Sequence, residues 1–172
     1  CCGAAMPGGI PVGMPGIAAG GWPGCCACMR AMPSWVVIGV GLIGGSLAKA
    51  IRKNKLAKEI VGVSQGQATL NAAIKDGVID QGYHDVAKAV ANADLVILAA
   101  PVGIITGILG TIGEHLRRGC IVTDVGSSKQ AIVSAAQKFL PSHVFFVGSH
   151  PLAGSEKVGV QNANAELFQG AT

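Results

Sequence analysis

Two stretches of this sequence have the residue types and spacing to do chemistry. The first is Gly39-Val-Gly41-Leu-Ile-Gly44, which fits G-x-G-x-x-G. In that spacing the first glycine permits a tight turn and the second lets the backbone approach a pyrophosphate. The third lets a helix pack close to a strand, with the helix N-terminus facing the anion. The loop leaves an apolar run rich in β-branched residues and opens a helical pattern, the context in which the motif reads as dinucleotide binding, with Leu42 and Ile43 inside it. The second stretch is FFVGSHPLAGSE, Phe145 to Glu156. One of the chain's four histidines, His150, stands there at the mouth of a strand-like run, with Pro151 fixing the backbone beside it and Glu156 further on. A histidine can take or give a proton near neutral pH, although a lone one is more often structural or merely exposed.

The residues around these stretches narrow the chemistry. A dinucleotide fold that binds NAD carries an acid about 20 residues after the loop, to hold the ribose 2′-hydroxyl. That place belongs to Ser64, in GVSQGQ, and no carboxylate stands there. A serine with nearby amides accepts a 2′-phosphate that an aspartate would repel. Gln65 and Gln67 occupy places where an NADP enzyme often has arginine. The cofactor is therefore read as NADP or NAD, with NADP favoured. Two more strand-like runs end in unusual sequence: LAAPV, whose Ala100 and Pro101 complete the cofactor side, and TDVGSSK, with Ser127 and Ser128. Either serine could simply cap a helix. Ligands of an open α/β sheet sit beyond the carboxyl ends of the strands, so all these segments converge on one face.

The elements that must position them are regular from Ser34 onward. WVVIGV, EIVGVS, DLVILAAP, CIVTDV and HVFFVGS read as strands. LIGGSLAKAIRKN, ATLNAAIKDG, DVAKAVANA, VGIITGILGTIGEHLRR and SKQAIVSAAQKFLP read as helices, the first with Leu42, Ile43, Leu47, Ala50 and Ile51 on one face. Gly77 is a natural stop for the second helix. A third strand is due near GVIDQGY and looks vestigial. The apolar strands do not alternate, which predicts burial of both faces. Strands alternating with helices predict a parallel sheet with helices on both sides, a doubly wound α/β domain of Rossmann type.

Composition sets the outer bounds. Half of the 172 residues are hydrophobic and 13% are charged, enough for a real core. The net charge is +4, with cations grouped at Lys49, Arg52, Lys53, Lys55 and Lys58. No aromatic residues interleave with them, so they read as a solvated helix end and not as a nucleic-acid surface. No apolar run reaches membrane-spanning length, which predicts a soluble protein. Residues 1–33 differ in kind, with five of the six cysteines, all four methionines, five of the eight prolines and eight of the 26 glycines. They lack helical and strand periodicity and the plan of a signal peptide. The expectation is a low-complexity segment, disordered or non-native, with Met32 a plausible start and residues 34–172 forming the dinucleotide-binding domain. Cys25 to Cys28, CCAC, has no second Cys/His pair nearby, so no metal site is expected. Cys120 alone in the body suits a reducing cytoplasm.

Together the segments VVIGVGLIGGSLAKAI, DLVILAAPV, VTDVGSSK and FVGSHPLAGSEKVGV resemble the prephenate/arogenate dehydrogenase family of tyrosine biosynthesis, in the right order and over roughly residues 35–172. The D-x-G-S-x-K and H-P-x-x-G-x-E segments are the specific ones; Ser149 departs from a commoner glycine. The resemblance implies NAD(P)-dependent oxidative decarboxylation of prephenate to 4-hydroxyphenylpyruvate, or of arogenate to tyrosine. It implies His150 as the base on the substrate hydroxyl, Ser127 bonding that hydroxyl or orienting the imidazole, and Glu156 tuning or gating the pocket mouth. Asp124 and Lys129 would hold their loop. It also implies a following helical domain that carries the substrate-carboxylate groups and a homodimer interface, so the chain reads as a fragment. The rival readings are a β-hydroxyacid or 6-phosphogluconate-type dehydrogenase and a non-catalytic nucleotide-binding module.

Overall fold

The structure, a computed structural model, describes residues 33–153 and 156–170. Residues 1–32 of the N-terminal segment, with the CCAC run and Met32, lie outside the described residues. The chain alternates strand and helix: β1 (Ser34–Ile38), α1 (Leu42–Lys53), β2 (Glu59–Val63), α2 (Gln67–Lys75), β3 (Gln81–Tyr83), α3 (Val86–Val90), β4 (Leu95–Leu98), α4 (Val102–Ile112), β5 (Ile121–Asp124), α5 (Lys129–Phe139) and β6 (Phe145–Gly148). The six strands form one parallel sheet in the order β3-β2-β1-β4-β5-β6. Order reverses between β1 and β4, the switch point where a doubly wound sheet opens its binding crevice.

The non-alternating strand sequences serve two cores. Successive strand residues point to opposite faces. Val36 and Ile38 of β1 enter one core with Val61, Val63, Val96, Leu98 and Val122, covered by residues of α3, α4 and α5. Val37 enters the other with Ile60 and Ile97, covered by α1 and α2. The expected third strand exists and is three residues long, paired to β2 from Val61↔Gln81 to Val63↔Tyr83. Asp80 ties it down. Its carboxylate accepts from the Ile60 amide at 2.8 Å and pairs with Arg52 at 2.9 Å. Burial raises its pKa, but the amide and the guanidinium outweigh that and leave it below the ordinary carboxylate value. A depressed acid stabilises the fold near neutral pH, and that contribution is lost as pH falls through its folded pKa.

Three expectations are corrected. Helix α1 buries Gly44, Gly45, Ser46, Ala48 and Ile51, while Leu42, Ile43, Leu47 and Ala50 are only half-buried. The helix lies so close to the sheet that its small residues make the contact. The long fourth helix stops at Ile112 and passes into a 3₁₀ turn, Gly113–His115. There the chain meets the end of α5: a Cβ on Gly113 would stand 2.3 Å from the Phe139 carbonyl oxygen, and Leu116 turns inward, extended and buried. Burial on both faces also fails at the β6 edge. Phe145 and Val147 are 61% and 57% exposed, and Ile121 of β5 beside them is exposed too.

Three members of the basic group are used within the fold. Lys49 donates to the Ala163 carbonyl at 2.9 Å, Arg52 pairs with Asp80, and Lys53 pairs with Glu166. Cys120 is fully buried, and burial pushes its thiol up to about 11 despite the nearby Arg117. No helix among the described residues is long and apolar enough to cross a membrane.

Leu109 of α4 is completely buried in the larger core. Leu109→Ala is expected to cost about 2–5 kcal/mol of unfolding free energy, read from urea denaturation. A loss below about 1 kcal/mol would mean that α4 does not pack there.

Candidate functional site

The three glycines of the loop differ in what surrounds them. Gly39 has φ +97°, and its amide donates to the Val63 carbonyl at 2.9 Å. A Cβ on it would stand 2.2 Å from the Ala99 carbonyl oxygen, so both conformation and space exclude a side chain. Gly44 is excluded by space alone: its Cβ would stand 2.2 Å from the Gly39 carbonyl oxygen and 3.0 Å from Val37. Gly41 is different. Nothing lies within 4 Å of where its Cβ would be, and it occupies the N-cap of α1 with no side chain capping the helix. The backbone there is open to a ligand, and a helix N-terminus looks onto the same space. Leu42 and Ile43 form the first turn behind it. These features fit a pyrophosphate.

Beyond β2 a cavity of about 210 Å³ opens, lined by Gly39, Ser64, Gln65, Ala100 and, unforeseen in the sequence, His84. Ser64 follows β2 and His84 follows β3, one step beyond the last pair of the register. The His84 ring places Nδ1 2.7 Å from the Ser64 carbonyl oxygen and Nε2 2.9 Å from Gln67 Oε1. Pro101 stands at the N-cap of α4, next to Ala100. The sequence offers one signal for His84: it is the first residue after the short third strand, in a fold whose ligands sit at strand ends.

A second cavity, about 320 Å³, lies beyond β4, β5 and β6 and is lined by Leu47, Ile97, Thr123, Val125, Ser149, His150 and Pro151. The backbone before His150 is held by Asp124, which is fully buried at the end of β5. Asp124 Oδ2 accepts from the Gly126 amide at 2.9 Å and pairs with Lys129 at the start of α5. Its Oδ1 accepts from the Ser149 amide at 3.3 Å. The Ser149 hydroxyl donates to the Asp124 carbonyl and lies 3.2 Å from the Thr123 hydroxyl. One carboxylate thus fixes the ends of two strands and the start of a helix. Asp124 and Lys129 hold the loop and line neither cavity.

Of the other expected residues, Ser127 is exposed between β5 and α5 and does not line the His150 cavity. Ser128 is the N-cap of α5 by position, without a side-chain cap bond. Glu156 is exposed and does not line that cavity either. The structure therefore joins His150 with Ser149 and Thr123, and leaves Ser127 and Glu156 outside the pocket.

Comparison with known proteins bears on the family and the fold. The model of the nucleotide-binding domain of prephenate dehydrogenase matches residues 47–172. The chain is 42% identical over 137 residues to prephenate dehydrogenase of Bacillus subtilis, covering 79% of this chain and 37% of the relative. Against cyclohexadienyl dehydrogenase of Zymomonas mobilis it is 34% identical over 133 residues, covering 77% of this chain and 45% of that one. The chain thus spans less than half the length of these relatives. Among solved structures, prephenate dehydrogenase from Aquifex aeolicus, in complex with hydroxyphenyl propionate and NAD+, superposes with a TM-score of 0.76 at 33% identity. That match covers 83% of this chain and 50% of the other.

The two kinds of glycine in the loop should separate on substitution. Gly39→Ala meets the Ala99 carbonyl in a left-handed conformation and is expected to cost at least about 2 kcal/mol. Gly41→Ala enters open space and should leave the urea midpoint nearly unchanged. Equal losses at both positions would refute this division of roles.

Proposed function

The chain belongs to the prephenate dehydrogenase family through its nucleotide-binding domain, and on that premise we propose that it is the cofactor-binding part of an NAD(P)-dependent dehydrogenase that oxidatively decarboxylates prephenate or arogenate. The observation that carries this reading is the position of His150. It lines a cavity at the carboxyl ends of the strands, on the same face as the glycine loop. We assign residues 34–172 to the dinucleotide-binding domain.

The loop residues Gly39, Gly41, Leu42, Ile43 and Gly44 would hold the pyrophosphate, and Ser64, Gln65, Ala100 and Pro101 the adenosine side. The bound nicotinamide supplies the hydride acceptor. His150 takes the proton of the substrate hydroxyl, so that the oxygen's electrons move toward a carbonyl as the ring carbon gives up its hydride. Departure of the ring carboxylate as CO₂ then makes the ring aromatic, and the step does not reverse. Ser149 and Asp124 keep the His150 backbone at this position. Ser127 and Glu156 are assigned supporting roles, on the substrate hydroxyl and at the pocket mouth, that require them to meet the substrate outside the present cavity. The bare face of β5 and β6, with Phe145 and Val147 exposed, supports a helical domain packing there in the whole protein, which we place in the cytoplasm as a homodimer.

NADP is favoured over NAD. The end of β2 carries Ser64 where a carboxylate would repel a 2′-phosphate, and no acidic side chain lines the adjoining cavity.

Two substitutions test the assignment. In the whole protein, His150→Asn keeps a polar side chain but cannot act as base, so kcat on prephenate or arogenate should fall by about 10²–10⁴. Cofactor affinity should be retained, and a near-parental kcat would overturn the mechanism. Gly41→Val should abolish calorimetric binding of NADP and NAD in a protein that still melts cooperatively. Parental affinity in that folded variant would remove the loop from the cofactor site.

A further inference from the structure

The sequence offers no arginine at the ribose end of the cofactor site, since Gln65 and Gln67 follow Ser64. The tertiary structure brings a different group there. His84, 20 residues from Ser64 in sequence, stands beside it in space because β2 and β3 are parallel neighbours. Its side chain lines the same cavity as Gly39 and Ser64.

The hydrogen bonds around the ring are informative. The Ser64 carbonyl can only accept, so Nδ1 donates to it. On the other side Nε2 faces the Gln67 side-chain oxygen, whose amide nitrogen donates to Asn71 Oδ1 at 2.8 Å. With Nδ1 held on the Ser64 carbonyl, Nε2 is the ring nitrogen left to meet a polar partner, which here is the Gln67 side chain. The neighbouring acid does not compete for it: Asp85 turns its carboxylate to the amides of Ala87 and Lys88, where it caps α3. The rest of the nearby lining, Val86 and Ile104, is apolar.

We infer that His84 is a specificity-determining residue for the cofactor, giving its Nε2 hydrogen to a 2′-phosphate on the adenosine ribose and so supplying the charge that arginine supplies elsewhere. This rests on the NADP preference proposed above. Gln67 is the ring's partner when no phosphate is bound. Nδ1 stays on the Ser64 carbonyl throughout, which keeps the ring aimed at the cavity. An unphosphorylated ribose makes no use of the second donor, so the effect falls on NADP and not on NAD.

The test compares NADP and NAD dissociation constants, by calorimetry, for the 172-residue chain and its His84→Phe, His84→Gln and His84→Arg variants. The parent should bind NADP more tightly. His84→Phe and His84→Gln should each weaken NADP by about 10- to 100-fold, as expected for loss of a charge-assisted bond, with NAD nearly unchanged. His84→Arg should keep the preference. If His84→Phe does not fold, His84→Gln carries the same reading. A parent that prefers NADP while the variants lose both cofactors equally, or neither, overturns the role of His84 and leaves the NADP preference standing. A parent that prefers NAD overturns that preference and this inference with it.

Discussion

The buried carboxylate of Asp124 is the interaction on which the geometry of the strand ends depends. It has no solvent exposure, so its charge must be met inside the protein. Lys129, the Gly126 amide and the Ser149 amide meet it from three directions. Each of those groups belongs to a different piece of the binding face: the start of α5, the turn after β5, and the residue before His150. Removing the carboxylate would strand a lysine and two amides at once, and His150 would lose the backbone reference that Pro151 alone cannot supply. The Ser149 hydroxyl strengthens the same tie through the Asp124 carbonyl.

A second constraint is closeness. Gly39 and Gly44 remove side chains where the loop, β4 and α1 meet, and Gly45 extends this along the helix: its Cβ would lie 3.0 Å from Ala163 and 3.2 Å from Val160. The segment that follows the His150 loop therefore returns over α1. Buried Ser46 accepts the Asn164 amide at 2.9 Å, and Lys49 and Lys53 hold Ala163 and Glu166. The helix that opens at the glycine loop thus also anchors the chain beyond His150. Of the five cations that could have suggested an anionic partner, Lys49 and Lys53 fasten this arrangement and Arg52 fastens Asp80 beside β3.

The two cavities lie at different places along the sheet. The one beyond β2 and β3 has a polar rim of Ser64, Gln65 and His84. The one beyond β4 to β6 combines apolar walls from Leu47, Ile97 and Val125 with a single titratable group, His150. Gly41 lies on the loop between them, where the backbone is open.

The sequence by itself determined the strand and helix order, the parallel sheet and the place of the glycine loop. These follow from local patterning: uninterrupted apolar runs, helical periodicity and glycine spacing need no knowledge of distant residues. His150 stood out for the same reason, as a histidine beside a proline at a strand end, and it lines a cavity. Only the tertiary structure decided what lies across from each residue. Register brought His84 to Ser64 over 20 residues and Ser149 to Asp124 over 25, distances in sequence over which no periodicity carries. It also decided which helix face is buried, because α1 packs by its glycines and small residues and not by the larger apolar side chains that a hydrophobic pattern selects. The bare face of β5 and β6 was invisible for a related reason. An apolar strand reads alike whether its second face is covered by a helix or open, since the covering element is a matter of packing and not of the strand's own residues.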